Sequence, residues 1–257
     1  MNWMDNFYST TGKWWGPAES TITDRDYDRV KLLQKICGDS KTVLELGSGY
    51  GNTAAVTADA GYDVVANELS DRIDFSKKFA EQALKGQLNF IKGDFYTADL
   101  GKNFDVVAYW NGFGIGSDAD QRRLLRRIAK EWLTVDGKVL IDIGNPFVRA
   151  SWAGDEEHKE ANPERGYEHT IDERTDYDPV KNRFVDTWWE SDKPDEKLTQ
   201  TLRNYSPADL ILLLEGTGLK LGSIFVAGEE LDLESDHTGN KDFLKNEQEY
   251  LSVLVHS

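Results

Sequence analysis

Residues Val43 to Asn52, VLELGSGYGN, close an apolar run and then place Gly47, Gly49 and Gly51 within five positions. Glycine lets the backbone turn through positive φ and lets bare peptide approach a ligand, so the spacing suits a nucleotide-binding turn. A dinucleotide fingerprint reads G-x-G-x-x-G and cradles a pyrophosphate. Here the spacing is G-x-G-x-G, and Asn52 stands where the third glycine would be. No G-K-[ST] follows, which removes a Walker-type phosphate loop. Proton transfer needs a base, and His158 and His169 are the general-base candidates. With the neighbouring Glu156, Glu157 and Glu168 they show no recognised metal-ligand spacing, so no metal is expected. Eight tryptophans are many for one chain. Trp14 and Trp15, then Trp152 and Trp188 with Arg203 and Tyr205, are candidates for a substrate chamber. An aromatic cage suits an amine through cation–π contact, or a flat apolar molecule. The same tryptophans would serve equally to pack one segment of the chain onto another.

From Lys41 to Ile143, short runs rich in Val, Ile and Leu alternate with helical patterns. The predicted strands are 42–46, 63–67, 88–91, 104–109 and 138–143, and the predicted helices are 52–60, 70–84 and 118–133. Continuous apolar strands separated by helices imply a parallel sheet covered on both faces. Residues 146–205 break this pattern and read as three antiparallel strands, with turns at 178–182 and 191–197. The α/β pattern resumes at SPADLILLLEGTG, where Ser206 is the expected N-cap and Pro207 the first helical residue. Two last strands are expected at 219–226 and 250–255. The acidic GEELDLESD between them reads as a solvated loop.

The 46 acidic against 30 basic residues give a formal net charge of −16. Such a surface repels phosphate backbones and anionic lipid, so neither nucleic acid nor membrane is expected as a partner. One cysteine, Cys37, allows no internal disulfide. The N-terminus lacks a basic segment followed by an apolar run, and a cytoplasmic location is expected.

The run E-L-G-S-G-Y-G resembles the first motif of the class I S-adenosylmethionine-dependent methyltransferases. The resemblance continues through VVANELS, FIKGDFY, FDVVAYWNGFGIG and LTVDGKVLIDIGNP, covering Val43 to Pro146 well and the C-terminal part more loosely. It implies a Rossmann-like α/β fold, a seven-stranded mostly parallel sheet with helices on both faces and an inserted antiparallel β cap after the fifth strand. Residues 1–40 would be a helical lid, 41–145 with 206–257 the core, and 146–205 the cap. It also implies S-adenosyl-L-methionine as cofactor. Glu45, Gly47, Ser48, Gly49 and Gly51 would form the turn, and Glu68, followed by Leu69, would take the ribose hydroxyls. Asp94 and Phe95 would meet the adenine, Trp110 and Asn111 the mouth, and Tyr8 the cofactor from the lid. Two acceptors suit a diol, and a cofactor with a sulfonium, an ammonium and no phosphate tolerates acidic walls. The implied function is methyl transfer to O or N of a small-molecule acceptor, and the insert leaves room for a homodimer. A peptide acceptor, a nicotinamide- or flavin-dependent oxidoreductase and a non-catalytic nucleotide-binding protein are the competing readings.

Overall fold

A computed structural model describes residues 2–257. Helix α1 (Asn2–Glu19) and helix α2 (Asp24–Cys37) precede a central sheet. There follow β1 (Thr42–Leu46), α3 (Asn52–Asp59), β2 (Asp63–Glu68), α4 (Lys77–Ala80), β3 (Leu88–Lys92), β4 (Phe104–Tyr109), α5 (Asp118–Arg127) and β5 (Leu133–Gly144). After α6 (Pro146–Arg149) come β6 (Glu156–Lys159), β7 (Ile171–Asp178), β8 (Arg183–Glu190) and β9 (Leu198–Arg203). The chain ends with α7 (Pro207–Leu214), β10 (Leu219–Val226), β11 (Glu229–Leu231) and β12 (Glu249–His256).

The main sheet has eight strands in the order β11-β10-β12-β5-β4-β1-β2-β3. The five strands from β3 to β5 in the sheet order run parallel, β12 pairs antiparallel with β5, and β10 pairs antiparallel with β12. The eighth strand is short β11, in the acidic segment read from sequence as a loop. It pairs Ile224 with Leu231 and Val226 with Glu229 as an edge hairpin, where exposed Glu side chains are tolerated. Aliphatic side chains fill both faces. Leu124, Leu125 and Ile128 with Leu210 and Leu213 pack one face, and Leu33, Cys37, Ala54 and Ala58 pack the other. Each such buried Leu or Ile contributes roughly 1.5–3 kcal/mol to this sandwich.

The predicted helix at 70–84 is instead a 3-10 segment, Asp71–Ser76, followed by the single turn α4. Tight packing against α1 explains the break: a Cβ on Gly16 would lie 2.2 Å from the Phe75 ring, and one on Gly12 would lie 2.6 Å from Arg72 Cγ. The helix expected over 118–133 is α-helical only to Arg127 and ends in a π-helical turn, Ile128–Trp132. Strand β5 starts earlier than expected, at Leu133, and residues 136 and 137 fall in the register shift between the pairs Phe104–Leu133 and Val106–Lys138. The segment after β5 forms a four-stranded antiparallel sheet, β6-β7-β8-β9, one strand more than expected. Strand β6, EEHK, is almost fully solvated and carries no apolar alternation to announce it. Ser206 caps α7, accepting from the Asp209 N–H, with Pro207 in the first turn.

Candidate active site

Register decides which side chains meet. Glu45 is paired with Ala66 and Ala108, so β1 lies between β2 and β4 with all three carboxyl ends level. Parallel sheets open a crevice at that edge. The glycine turn enters it directly from β1. Gly47, Gly49 and Gly51 adopt φ of +60°, +55° and +82°. A Cβ on Gly51 would lie 2.7 Å from the Phe90 ring, whereas one on Gly49 would meet nothing within 4 Å. Gly51 is therefore required by packing and conformation, and Gly49 leaves open backbone on the crevice side. Asn52, which replaces the third glycine of a dinucleotide turn, donates from Nδ2 to the carbonyls of Glu19 and Thr21 at 2.7 and 3.0 Å. It ties the turn to the end of α1.

Glu68, at the end of β2, is 7% exposed. It accepts from the Gly49 N–H at 2.8 Å, and from the Ser70 N–H and hydroxyl at 2.8 and 2.7 Å. One carboxylate thus holds the glycine turn and stands beside the crevice. Asp94 accepts from the Tyr96 N–H at 2.8 Å, and Phe95 packs edge-on against Tyr109. Glu45 is 2% exposed, and burial pushes its carboxyl up to about 8 despite the nearby Arg29. Its Oε2 has no hydrogen-bond partner. Trp110 lies beneath the Arg29 guanidinium, 5.3 Å from the ring centroid, and Asn111 accepts from Arg25 at 2.7 Å.

A cavity of about 140 Å³ is lined by Tyr8, Gly47, Gly49, Glu68, Leu69, Asp94, Phe95, Trp110 and Asn111. A neighbouring one of about 650 Å³ shares Gly47, Gly49, Trp110 and Asn111, and adds Glu45 and Ser48. The predicted cofactor residues therefore converge, with one exception: Gly51 faces Phe90 and shapes the turn from behind. An unpartnered buried carboxylate oxygen, open glycine backbone and a second carboxylate beside it fit a ligand with an ammonium and a diol and without phosphate.

The other predicted residues scatter, each for a physical reason. His158 sits on solvated β6, its ring bonded to Asp172 and Glu160 at 2.5 and 3.1 Å. Those carboxylates raise its pKa and hold the ring on the cap, away from the crevice. His169 bonds Glu190 at 2.8 Å. It lines a different cavity of about 560 Å³ together with Trp15 and Trp188. Trp14 is 5% exposed core. Trp152 packs on Phe184, in a separate depression with Glu156 and Glu157. Tyr205 is buried and donates to Asp118 at 2.7 Å, while Arg203 stacks on Tyr205 and donates to the Asn204 carbonyl. Arg203 and Tyr205 brace the cap–core junction rather than facing the crevice.

Sequence reasoning missed Arg72. It lies four residues beyond Glu68, borders all three cavities, and stacks 5.0 Å over Tyr8 and 5.2 Å over Tyr50. Only its closeness in sequence to Glu68 hinted at it. Among the described residues no helix is long and apolar enough to cross a membrane.

Residues 43–137 match the family model described as a methyltransferase domain. A cypemycin N-terminal methyltransferase of Streptomyces sp is 33% identical over 117 residues, which are 44% of this chain and 46% of that protein. The match thus spans about half the length of that curated relative. The CcbJ methyltransferase of Streptomyces caelestis superposes with a TM-score of 0.71 at 20% identity, covering 92% of this chain and 91% of the other. An S-adenosylmethionine-dependent methyltransferase of Clostridium acetobutylicum gives 0.69 at 13%, covering 93% and 94%. An amino pentose methyltransferase of Micromonospora echinaspora, CalS10, gives 0.58 at 16%, covering 91% of each chain. The methyltransferase-domain match at residues 43–137 thus lies within a fold that this chain shares with solved S-adenosylmethionine-dependent methyltransferases.

Proposed function

We propose that the chain transfers a methyl group from S-adenosylmethionine to O or N of a small-molecule acceptor. The observation that carries this reading is the acid-lined turn, with the Gly49 N–H bound by Glu68 and buried Glu45 left with a free oxygen. Glu68 would take the ribose hydroxyls, Glu45 would meet the ammonium, and Asp94 and Phe95 would hold the adenine. Bound there, the cofactor supplies a methyl group on a sulfonium, a good leaving group. The protein's share is then to align the nucleophile and exclude water. Two elements suit that task. Trp188 of the cap packs on Phe7 and Trp15 of α1, with ring centroids 5.4 and 4.5 Å apart. Tyr8 donates to Gln200 of the cap at 2.8 Å, so lid and cap meet over the crevice. A roofed crevice favours a small acceptor over an open peptide groove.

A peptide N-terminus is the second reading, favoured by the name of the 33% identical relative. A methylation assay over a metabolite library and a set of short peptides tests both. Release of S-adenosylhomocysteine is read for each acceptor, and the product is identified by mass. Turnover confined to metabolites supports the proposal, and turnover confined to peptides replaces it with the second reading.

A further inference from the structure

Buried in the cap is a carboxylate that the reading above does not use. Asp186, on β8, is 3% exposed. It accepts from the Trp188 indole N–H at 2.5 Å and from Gln200 Nε2 at 2.8 Å. Gln200 Oε1 in turn accepts from the Tyr8 hydroxyl at 2.8 Å. Tyr8 lines the crevice with Gly47, Glu68 and Trp110.

Burial raises the Asp186 carboxyl to about 7, so the direction of this chain is fixed above that pH, where Asp186 is ionised. An indole N–H can only donate, and an ionised carboxylate can only accept. Asp186 therefore requires the amide NH2 of Gln200, which leaves the amide oxygen facing Tyr8. Tyr8 must then donate, and its single proton is committed to Gln200. Arg72 does not compete for the hydroxyl, because its Nε donates to the Tyr8 main-chain carbonyl at 3.2 Å and its Nη2 to Thr11 Oγ1 at 2.9 Å. Glu173, which accepts from Lys159 at 2.6 Å, also acts on Asp186 and raises its carboxyl.

We propose that Asp186, acting through Gln200, is a positioning residue that turns the Tyr8 proton away from the crevice, so that Tyr8 presents only oxygen lone pairs to the reacting centre. This rests on the methyltransferase reading and deepens it. A hydroxyl with a free proton would accommodate donors and acceptors alike. An oriented one accepts only. It favours a partner that brings hydrogen, such as a polarised methyl or the N–H or O–H of a nucleophile. It disfavours a bare carbonyl or ether at the same place. The cap thereby filters acceptor chemistry without touching the acceptor.

Two ligands test this without knowledge of the acceptor. S-adenosylhomocysteine has no donor at the position of the transferred methyl, and sinefungin carries an amino group there. Calorimetric titration of the full chain with each, above pH 8 where Asp186 is ionised, gives a ratio of affinities that cancels any loss of folded protein. Wild type is expected to bind sinefungin about tenfold more tightly, the difference one charge-assisted hydrogen bond makes. Tyr8→Phe removes that preference. Asp186→Asn can donate to Gln200, allows the amide to reverse, and lowers the ratio to about twofold or less. Gln200→Met breaks the link and lowers it likewise. The inference is overturned if the ratio in wild type is near one, or if Asp186→Asn and Gln200→Met keep the wild-type ratio. Failure of S-adenosylhomocysteine to bind wild type sinks the cofactor reading instead, so the two failures are told apart.

Discussion

Replacing Glu68 by alanine separates a ligand-binding carboxylate from a structural one. In the structure this side chain accepts three hydrogen bonds, from Gly49 N, Ser70 N and Ser70 Oγ, all within 2.8 Å. Losing them releases buried donors at about 1 kcal/mol each, or roughly 2–3 kcal/mol in all. For a chain of this size each kcal/mol shifts Tm by about 2–4 °C, so a fall of roughly 5–10 °C is expected. Ligand binding loses more. Two charge-assisted hydrogen bonds to a diol are worth about 1.5–3 kcal/mol each. The carboxylate already serves the turn, so about 3 kcal/mol net is a fair expectation, which is roughly 150-fold in Kd. Calorimetry with S-adenosylhomocysteine reads the affinity, and differential scanning fluorimetry reads Tm. Glu68→Gln keeps one acceptor oxygen and should fall between the two. A Tm fall of the expected size with Kd within threefold of wild type would refute the reasoning, because Glu68 would then only brace the turn.

The glycines make a paired prediction. Gly51→Ala places a Cβ 2.7 Å from Phe90 and 2.9 Å from Ser76 Cβ at φ +82°, and should cost about 3 kcal/mol of stability from strain and overpacking. Gly49→Ala has open space and should cost only about 1–2 kcal/mol, yet weaken cofactor affinity more than Gly51→Ala does; equal effects on both readouts would contradict the turn's geometry. Glu45 gives a pH signature. Burial raises its carboxyl to about 8, so the folded protein holds a proton that the unfolded chain releases nearer its ordinary range. Stability from this group is present at low pH and is lost as pH rises toward 8, with a slope of at most about 1.4 kcal/mol per pH unit. Wild type should therefore lose stability relative to Glu45→Gln between pH 5 and 8. Parallel Tm curves for the two would show that Glu45 does not titrate in that window.

How far the molecule can be read from its sequence depends on whether a residue's partner lies nearby in the chain. Strands β1, β2 and β4 are largely buried on both faces, so their Val and Leu runs announce them, and Phe104–Tyr109 falls within its expected bounds. Glu68 and Asp94 follow strand ends, so their place beside the turn comes from topology alone. Strands β6 and β11 stayed hidden because they lie at sheet edges and consist largely of Glu, Lys and His. The tryptophans show the limit most plainly. Trp14, Trp152 and Trp188 have the same chemistry, yet one is core, one packs on Phe184 and one joins lid to cap. Which face each turns to depends on contacts far away in sequence. The same holds for Tyr8 and Gln200, separated by 192 positions. The histidines drew attention as rare bases, but their carboxylate partners Asp172 and Glu190 lie on β7 and β8 of the cap and hold them there.

Titration of the purified chain with S-adenosylhomocysteine by calorimetry tests the cofactor assignment most directly. The expected result is one site per chain, micromolar affinity, and no comparable heat from NADH or FAD. Absence of heat with S-adenosylhomocysteine, or saturable binding of a dinucleotide in its place, would contradict it.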